Sequence, residues 1–226
     1  MNSVQDKRTR VKICGLTTLE DARFAAGALA DYLGFIFYPD SPRYIEPARA
    51  GAIINWIEGP QKAGVFVNQP LDDVNSISRQ TGIDMVQLHG TESPEYCSLI
   101  ELPVIKVFHI TENKTENDLK AEIEPFQESA AYFLFDTKTD EKWGGTGKTF
   151  DWNLLHDISM EKSFFLSGGL NAGNVQQAIQ TVSPMGVDLS SGLEESPGLK
   201  DFDKVEHFFE LMREIWEKQD AVNGEI

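Results

Sequence analysis

Val11-Lys12-Ile13-Cys14-Gly15-Leu16-Thr17-Thr18-Leu19-Glu20 reads as one strand followed by the start of one helix. The first five residues are short, largely apolar and β-prone, and they close on a thiol and a glycine. Thr17 and Glu20 then stand at the spacing of a capping box, a hydroxyl with a Glu three residues on. Strand side chains alternate between faces, so Val11 and Ile13 share one face and Lys12 and Cys14 the other. A lysine and a thiol on one face are not the content of an ordinary core strand.

The same unit recurs along the chain. Apolar, strand-like runs lie at 32–37, 63–67, 85–88, 104–108, 132–135, 164–166 and 186–189, each followed by a helical stretch. Pro47 suits the first turn of the second helix, Gly82 ends the third, and Ser93-Pro94 opens the fourth. Thr115 and Asp118 form a second possible capping box. The last helix places Val205, Phe209, Met212 and Trp216 on one face. Strand–helix alternation predicts a parallel sheet. Eight units with no spare element point to a closed (β/α)8 TIM barrel; an open eight-unit α/β sheet is the alternative. The expected organisation is a flexible lead-in over 1–10, one barrel domain over 11–216 and a polar tail over 217–226.

At 226 residues the chain suits a single large domain. Its formal net charge of -16, from 36 acidic and 20 basic side chains, argues against nucleic acid and against anionic membrane surfaces. An anionic small molecule stays compatible, because local donors outweigh a distant net charge. No apolar run nears the roughly 20 residues that span a bilayer. The polar start lacks the apolar core of a signal peptide. Cys14 and Cys97 read as free thiols of a reducing cytoplasm, Cys97 as a small core residue in mid-helix. His89, His109, His156 and His207 show no metal-ligand spacing, so no metal is expected.

Val86/Leu88, Ile105/Val107, Phe133/Phe135 and Val187/Leu189 read as helix-facing pairs. Met85/Gln87, Lys106/Phe108, Leu134/Asp136 and Gly186/Asp188 then point inward with Lys12/Cys14. Buried charges must be paired or hydrogen-bonded. One reading is a set of mutually satisfied ion pairs; the other is an active site at the C-terminal ends of the strands. Cys14 ends the first strand and Asp136 the sixth, so the two face each other across the mouth of the ring. An opposed thiol and carboxyl group suit base and acid on two sides of one substrate. An inert buried thiol and a covalent nucleophile remain alternatives for Cys14. Its place favours a general base, with Lys12 either raising the thiolate fraction or pairing with an interior Asp.

Ser167-Gly168-Gly169 and Ser190-Ser191-Gly192 follow the seventh and eighth strands, where such barrels often bind phosphate through backbone N–H groups. Trp143-Gly144-Gly145-Thr146-Gly147-Lys148-Thr149 is no P-loop, because Lys142 stands where the first glycine is required. The loop, with Gly144, Gly145 and Gly147, reads as a mobile lid over the phosphate site or as a plain surface loop. Arg43, in Ser41-Pro42-Arg43-Tyr44, suits a bidentate grip on a carboxylate, or is a solvated charge.

These segments, with Phe37-Tyr38-Pro39-Asp40 before Ser41, Val86-Gln87-Leu88-His89-Gly90, Phe135-Asp136-Thr137, the run to Trp152 and Val187-Asp188-Leu189, occur in an order and spacing that resemble the phosphoribosylanthranilate isomerase family over about residues 11 to 216. The resemblance implies a (β/α)8 barrel that carries out an Amadori rearrangement of N-(5-phosphoribosyl)anthranilate to 1-(2-carboxyphenylamino)-1-deoxyribulose 5-phosphate, in tryptophan biosynthesis, with no cofactor. It implies Cys14 as general base, Asp136 as general acid, Arg43 on the anthranilate carboxylate, and Gly168, Gly169, Ser190 and Ser191 at the phosphate. Lys12, Gln87, His89 and Asp188 stand as supporting residues. The implied partner is a phosphorylated small molecule, and the implied state a monomer or homodimer. The rival readings are a related phosphosugar barrel, such as indole-glycerol-phosphate synthase or the histidine-pathway aminoaldose isomerase, and a barrel that binds a phosphorylated ligand without turnover. The aminoaldose isomerase would want paired Asp residues, whereas the first strand here ends in Cys14.

Overall fold

In the computed structural model, residues 8–111, 113–137, 149–156, 158 and 162–224 are described. The elements run β1 (Arg10–Ile13), α1 (Leu19–Gly27), β2 (Tyr32–Ile36), α2 (Pro47–Ile54), β3 (Gln61–Phe66), α3 (Leu71–Thr81), β4 (Met85–Leu88) and α4 (Pro94–Ser98). They continue with β5 (Val104–Ile110), α5 (Glu116–Ile123), β6 (Tyr132–Thr137), α6 (Asn153–His156), β7 (Phe164–Leu166), α7 (Val175–Val182) and β8 (Gly186–Leu189). A small hairpin, β9 (Glu194–Ser196) and β10 (Leu199–Lys200), precedes α8 (Phe202–Gly224). Strands β1 to β8 pair in sequence order, all parallel, and β8 closes back onto β1. The expected closed barrel is what forms.

Local chemistry sets the helix starts. Pro47 occupies the first turn of α2, and Ser93 caps α4 through the Tyr96 N–H. The Thr115–Asp118 capping box is made in both directions. The box expected at Thr17 and Glu20 is displaced by one residue. Thr18 is the N-cap and accepts from the Asp21 N–H, while the Thr17 hydroxyl donates to the Gly198 carbonyl of the hairpin at 2.6 Å. A tertiary acceptor takes the first hydroxyl, and the local cap falls to the second.

Two apolar layers result. Val11, Ile13, Val86, Leu88, Phe133 and Phe135 meet the helices. Tyr32, Ala63, Met85, Ile105, Val107, Leu134 and Phe165 fill the inside of the ring. β5 thus reverses the expected assignment: Ile105 and Val107 point inward, and Lys106 and Phe108 face the helical layer. Lys106 Nζ donates to the Gly90 carbonyl at 2.8 Å and to Glu92 Oε2 at 2.7 Å, and Phe108 packs edge-on against Phe126 and Phe133. β5 is apolar on both faces, so hydrophobic pattern does not decide its parity; the partner for the Lys106 charge does.

Of the lead-in expected over 1–10, residues 1–7 lie outside the described residues. Thr9 is buried, and Arg10 begins β1. The α8 face carrying Val205, Phe209, Met212 and Trp216 is buried, as its spacing predicts, together with Phe208, and the helix continues past residue 217 to Gly224. Trp216 Nε1 donates to the Thr9 carbonyl at 2.7 Å, and the Arg8 guanidinium lies 4.3 Å from the Trp216 ring centroid. No helix among the described residues is long and apolar enough to cross a membrane.

Trp216→Phe keeps the ring but leaves the Thr9 carbonyl without its indole donor. The expected loss is about 1–3 kcal/mol. It reads out as a lower urea midpoint with an unchanged slope; an unmoved midpoint would show that water replaces the indole without cost.

Candidate active site

The inward positions of the strands stack in layers. Above the apolar floor of Tyr32, Leu134 and Phe165, Lys12 and Asp188 sit opposite each other in the β1–β8 register. Lys12 Nζ donates to Asp188 Oδ1 at 2.9 Å, with both groups buried. Burial opposes charge on Lys12, but Asp188 and the Cys14 thiol outweigh it and hold the ammonium above its ordinary value.

One step up, the Cys14 N–H donates to the Leu189 carbonyl at 2.8 Å, which turns its side chain toward the mouth. Burial pushes the thiol above its ordinary value, while Lys12 and Lys200 pull it back. Room for the sulfur comes from Gly34 on β2. A Cβ there would stand 2.7 Å from Cys14 Sγ, 3.0 Å from Cys14 Cα and 3.1 Å from Lys12 Nζ. Sequence reasoning passed over this glycine, because its reason lies on the neighbouring strand.

Across the mouth, Asp136 ends the inward column of β6. His109 lies beside it in the β5–β6 register, and His89 follows β4. His89 Nε2 is 3.5 Å from Asp136 Oδ2, His89 Nδ1 meets Gln87 Nε2 at 3.3 Å, and His109 Nε2 meets the His89 carbonyl at 3.0 Å. Burial, seconded by Asp188, raises the Asp136 carboxyl to about 7, against the Thr137 N–H and Lys12. Burial, seconded by His109, drives His89 well below its ordinary value. Near neutrality the pair is therefore an uncharged imidazole beside a carboxyl group that half retains its proton. His89, His109 and Asp136 offer donor atoms within 4.8 Å of one another. That is a closer gathering of histidines than sequence spacing suggested, because adjacent strands bring them together. One nitrogen of each ring is engaged, His89 Nδ1 with Gln87 and His109 Nε2 with the His89 carbonyl.

The third wall is built by the hairpin, which the sequence reading missed. Arg43 forks onto Glu194, with Nε to Oε1 at 2.8 Å and Nη2 to Oε2 at 2.7 Å. Its Nη1 has no hydrogen bond among the described residues. Lys200 Nζ lies behind, donating to Glu194 Oε1 at 3.0 Å. Burial works against the Glu194 charge, but Arg43 and Lys200 outweigh it and hold the carboxyl below its ordinary value. Pro197-Gly198 at the hairpin tip is the sequence signal that marks such a turn.

Ser167, Gly168, Gly169, Ser190 and Ser191 line the fourth side. Gly168 sits at φ +90°, where a Cβ would strike the Thr137 backbone nitrogen at 2.5 Å. Among the described residues, the N–H groups of Gly168 and Gly169 donate to no acceptor. All of these groups, with Cys14, Arg43, Gln87, His89, Asp136 and Asp188, border one cavity of about 690 Å³. Gly144, Gly145 and Gly147, the expected lid, lie outside the described residues.

The profile of the family described as N-(5'phosphoribosyl)anthranilate (PRA) isomerase matches residues 11–211. A relative from Geobacter sp. (strain M21), named N-(5'-phosphoribosyl)anthranilate isomerase, is 45% identical over 201 residues, which span 88% of this chain and 96% of its own. The solved phosphoribosyl anthranilate isomerase of Thermotoga maritima superposes with a TM-score of 0.83 at 40% identity, over 91% of this chain and 99% of that one. A phosphoribosyl anthranilate isomerase solved in complex with reduced 1-(o-carboxyphenylamino)-1-deoxyribulose 5-phosphate gives a TM-score of 0.78 at 37% identity, with coverage of 91% and 99%.

Gly34→Ala places a methyl group against the thiol and the Cys14 backbone at once. The expected cost is about 1–3 kcal/mol of stability, together with slower alkylation of Cys14 by iodoacetamide, read by mass spectrometry on the folded protein. Unchanged alkylation would mean that the sulfur has room elsewhere.

Proposed function

The chain belongs to the N-(5'-phosphoribosyl)anthranilate isomerase family, and from that premise we propose how its mouth performs the rearrangement. It is an isomerase of tryptophan biosynthesis, and its substrate class is a phosphorylated small molecule. The observation that carries the residue assignment is the shared cavity. A thiol and a proton-holding carboxyl group border it from two sides, between an arginine and two glycine–serine turns.

N-(5-phosphoribosyl)anthranilate carries a carboxylate at one end and a phosphate at the other. The phosphate sits on the N–H groups of Gly168 and Gly169 and on the turn at Ser190-Ser191, where a charged oxygen gains most from fixed donors. The anthranilate carboxylate takes the Nη1 edge of Arg43, whose other edge is fixed by Glu194. Held at both ends, the furanose spans the cavity with its reacting atoms between Cys14 and Asp136.

Asp136 gives its proton to the furanose ring oxygen. The C1–O bond breaks, and the nitrogen lone pair completes a protonated Schiff base. Cys14, as thiolate, removes the proton from C2, and the C2–H electrons form the enolamine. A proton returns at C1 while the C2 hydroxyl loses its own, which leaves the ketone. Proton count and electron count close within the substrate, so the sequence of steps needs no redox partner and no cofactor. His89, uncharged at this pH, keeps the Asp136 proton from being drawn off by a nearby cation. Lys12 places positive charge beside the thiolate.

Cys14→Ser and Asp136→Asn are each expected to lower kcat by about 10²-fold or more. The assay is the fall in substrate fluorescence on adding enzyme; near-normal turnover in either variant removes that residue from its role.

The pH profile follows from the two groups together. Productive enzyme has the proton on Asp136 and none on Cys14. From acid upward, kcat/KM climbs as thiolate forms, levels off at about 7 where Asp136 starts to lose its proton, and falls once the thiol is fully ionised. The break near neutrality therefore belongs to the acid. Asp136→Asn is expected to abolish that break, and its survival in the variant would assign it to another group.

A further inference from the structure

Lys200 takes no part in the steps above, yet it touches the residue of the proposed base, the turn after β8 and the carboxylate that holds Arg43. It sits on β10, its side chain only 1% exposed. Its ammonium has three hydrogens to give. Three oxygens receive them: the Cys14 carbonyl at 2.7 Å, the Ser190 carbonyl at 3.3 Å and Glu194 Oε1 at 3.0 Å. The first belongs to the thiol's own residue at the end of β1. The second belongs to the phosphate turn after β8. The third is the carboxylate that fixes Arg43.

A buried ammonium is a costly way to hold a short hairpin. The hairpin is already held without it. Thr17 donates to the Gly198 carbonyl at 2.6 Å, the Asp201 N–H to the Leu193 carbonyl at 3.0 Å, and Lys204 Nζ to the Glu194 carbonyl at 2.8 Å. Lys200 adds one more tie across the hairpin, to Glu194, and two outside it, to the Cys14 and Ser190 carbonyls, so a single atom joins three separate parts of the mouth.

We propose that Lys200 is a positioning residue that fixes the spacing between the Cys14 thiol, the Ser190 phosphate turn and the Arg43–Glu194 carboxylate clamp. A substrate gripped at phosphate and carboxylate is then presented with its C2 at the sulfur. The inference rests on the proposed roles of Cys14, Arg43 and the phosphate turns. One tie moving by about 1 Å is enough to lose about 10²-fold in rate, which is the scale on which such a frame matters.

The same atom contributes charge. The charged groups that face the Cys14 thiol are Lys12 on β1, Asp188 on β8, Arg43 after β2 and Lys200 on β10. Removing Lys200 leaves the thiol with less positive surroundings, so its ionisation moves to higher pH.

The test compares Lys200→Met, Lys200→Arg and Cys14→Ser with wild type. The readouts are kcat, KM and the pH dependence of Cys14 alkylation in enzyme without substrate. Lys200→Met is expected to lose about 10²-fold in kcat/KM, shared between a higher KM and a lower kcat. Its alkylation midpoint is expected to move to higher pH. Lys200→Arg keeps the charge but spreads the donors over a plane. It is expected to keep the alkylation midpoint near wild type and to show an intermediate KM. A Lys200→Met enzyme with kcat and KM near wild type overturns the inference. So does one with impaired kcat/KM, an unmoved alkylation midpoint and no recovery in Lys200→Arg, for that is the mark of a merely structural residue. If Lys200→Met does not fold, Lys200→Arg with wild-type kcat and KM overturns it alone. Failure of the base assignment shows separately, as turnover kept by Cys14→Ser; the effect of Lys200→Met on KM and on thiol ionisation then still decides the positioning role.

Discussion

The Lys12–Asp188 ion pair lies on the seam where β1 closes against β8. A buried pair adds little net stability, because the loss of hydration offsets the attraction, but removing one partner strands the other charge in a dry interior. Its importance here is geometric. A slip of one residue between β1 and β8 would part Lys12 from Asp188 and change which side chains share a face at the seam. The pair also divides the barrel. Below it, Tyr32, Leu134 and Phe165 make a dry floor; above it, polar groups open onto the cavity. Register, interior filling and site thus answer to one contact between distant parts of the chain.

The same dryness acts on Asp136 and His89 in opposite senses. Burial disfavours charge on any group, so a carboxyl group keeps its proton and an imidazole gives its proton up. Two neighbours that would form an ion pair in water are held as a largely uncharged pair. The Lys12 ammonium, three strands round the ring from Asp136, is kept charged by its own dedicated carboxylate. Which groups at the mouth carry charge therefore rests on which are given partners and which are only buried.

How far the sequence is legible varies strand by strand, for physical reasons. At β1, Val11 and Ile13 alternate cleanly with Lys12 and Cys14, so parity and the strand-end thiol can be read from five residues. Asp136 closing an aromatic run is as plain. β5 is not readable, since Val104, Ile105, Val107 and Phe108 are apolar on both faces and Lys106 is placed by Glu92, a residue from another loop. With β5 goes His109, whose position beside Asp136 depends on that parity. The cap at Thr18 shifts because Thr17 finds an acceptor 181 residues away. Lys200 is the least legible. Gly198-Leu199-Lys200-Asp201 looks like an ordinary polar turn, and only three distant oxygens make its lysine an interior residue. Periodicity reports which face is apolar; it carries no word of a contact that closes over a long loop.

The charges of the mouth have a consequence for how a ligand arrives. Lys12, Arg43 and Lys200 are matched by Asp188, Glu194, the exposed Asp40 and the partly ionised Asp136, in a chain whose formal net charge is -16. Beyond a Debye length of about 8 Å at physiological salt the fields of these charges and of the net charge are both strongly damped. An anionic phosphorylated ligand nears a surface of net negative charge and meets the cations of the mouth only at short range. Capture gains nothing from long-range steering, and added salt should quicken encounter rather than slow it. The repulsion that hinders arrival also helps departure: an anionic ligand that leaves the mouth is pushed outward by the surface it crosses.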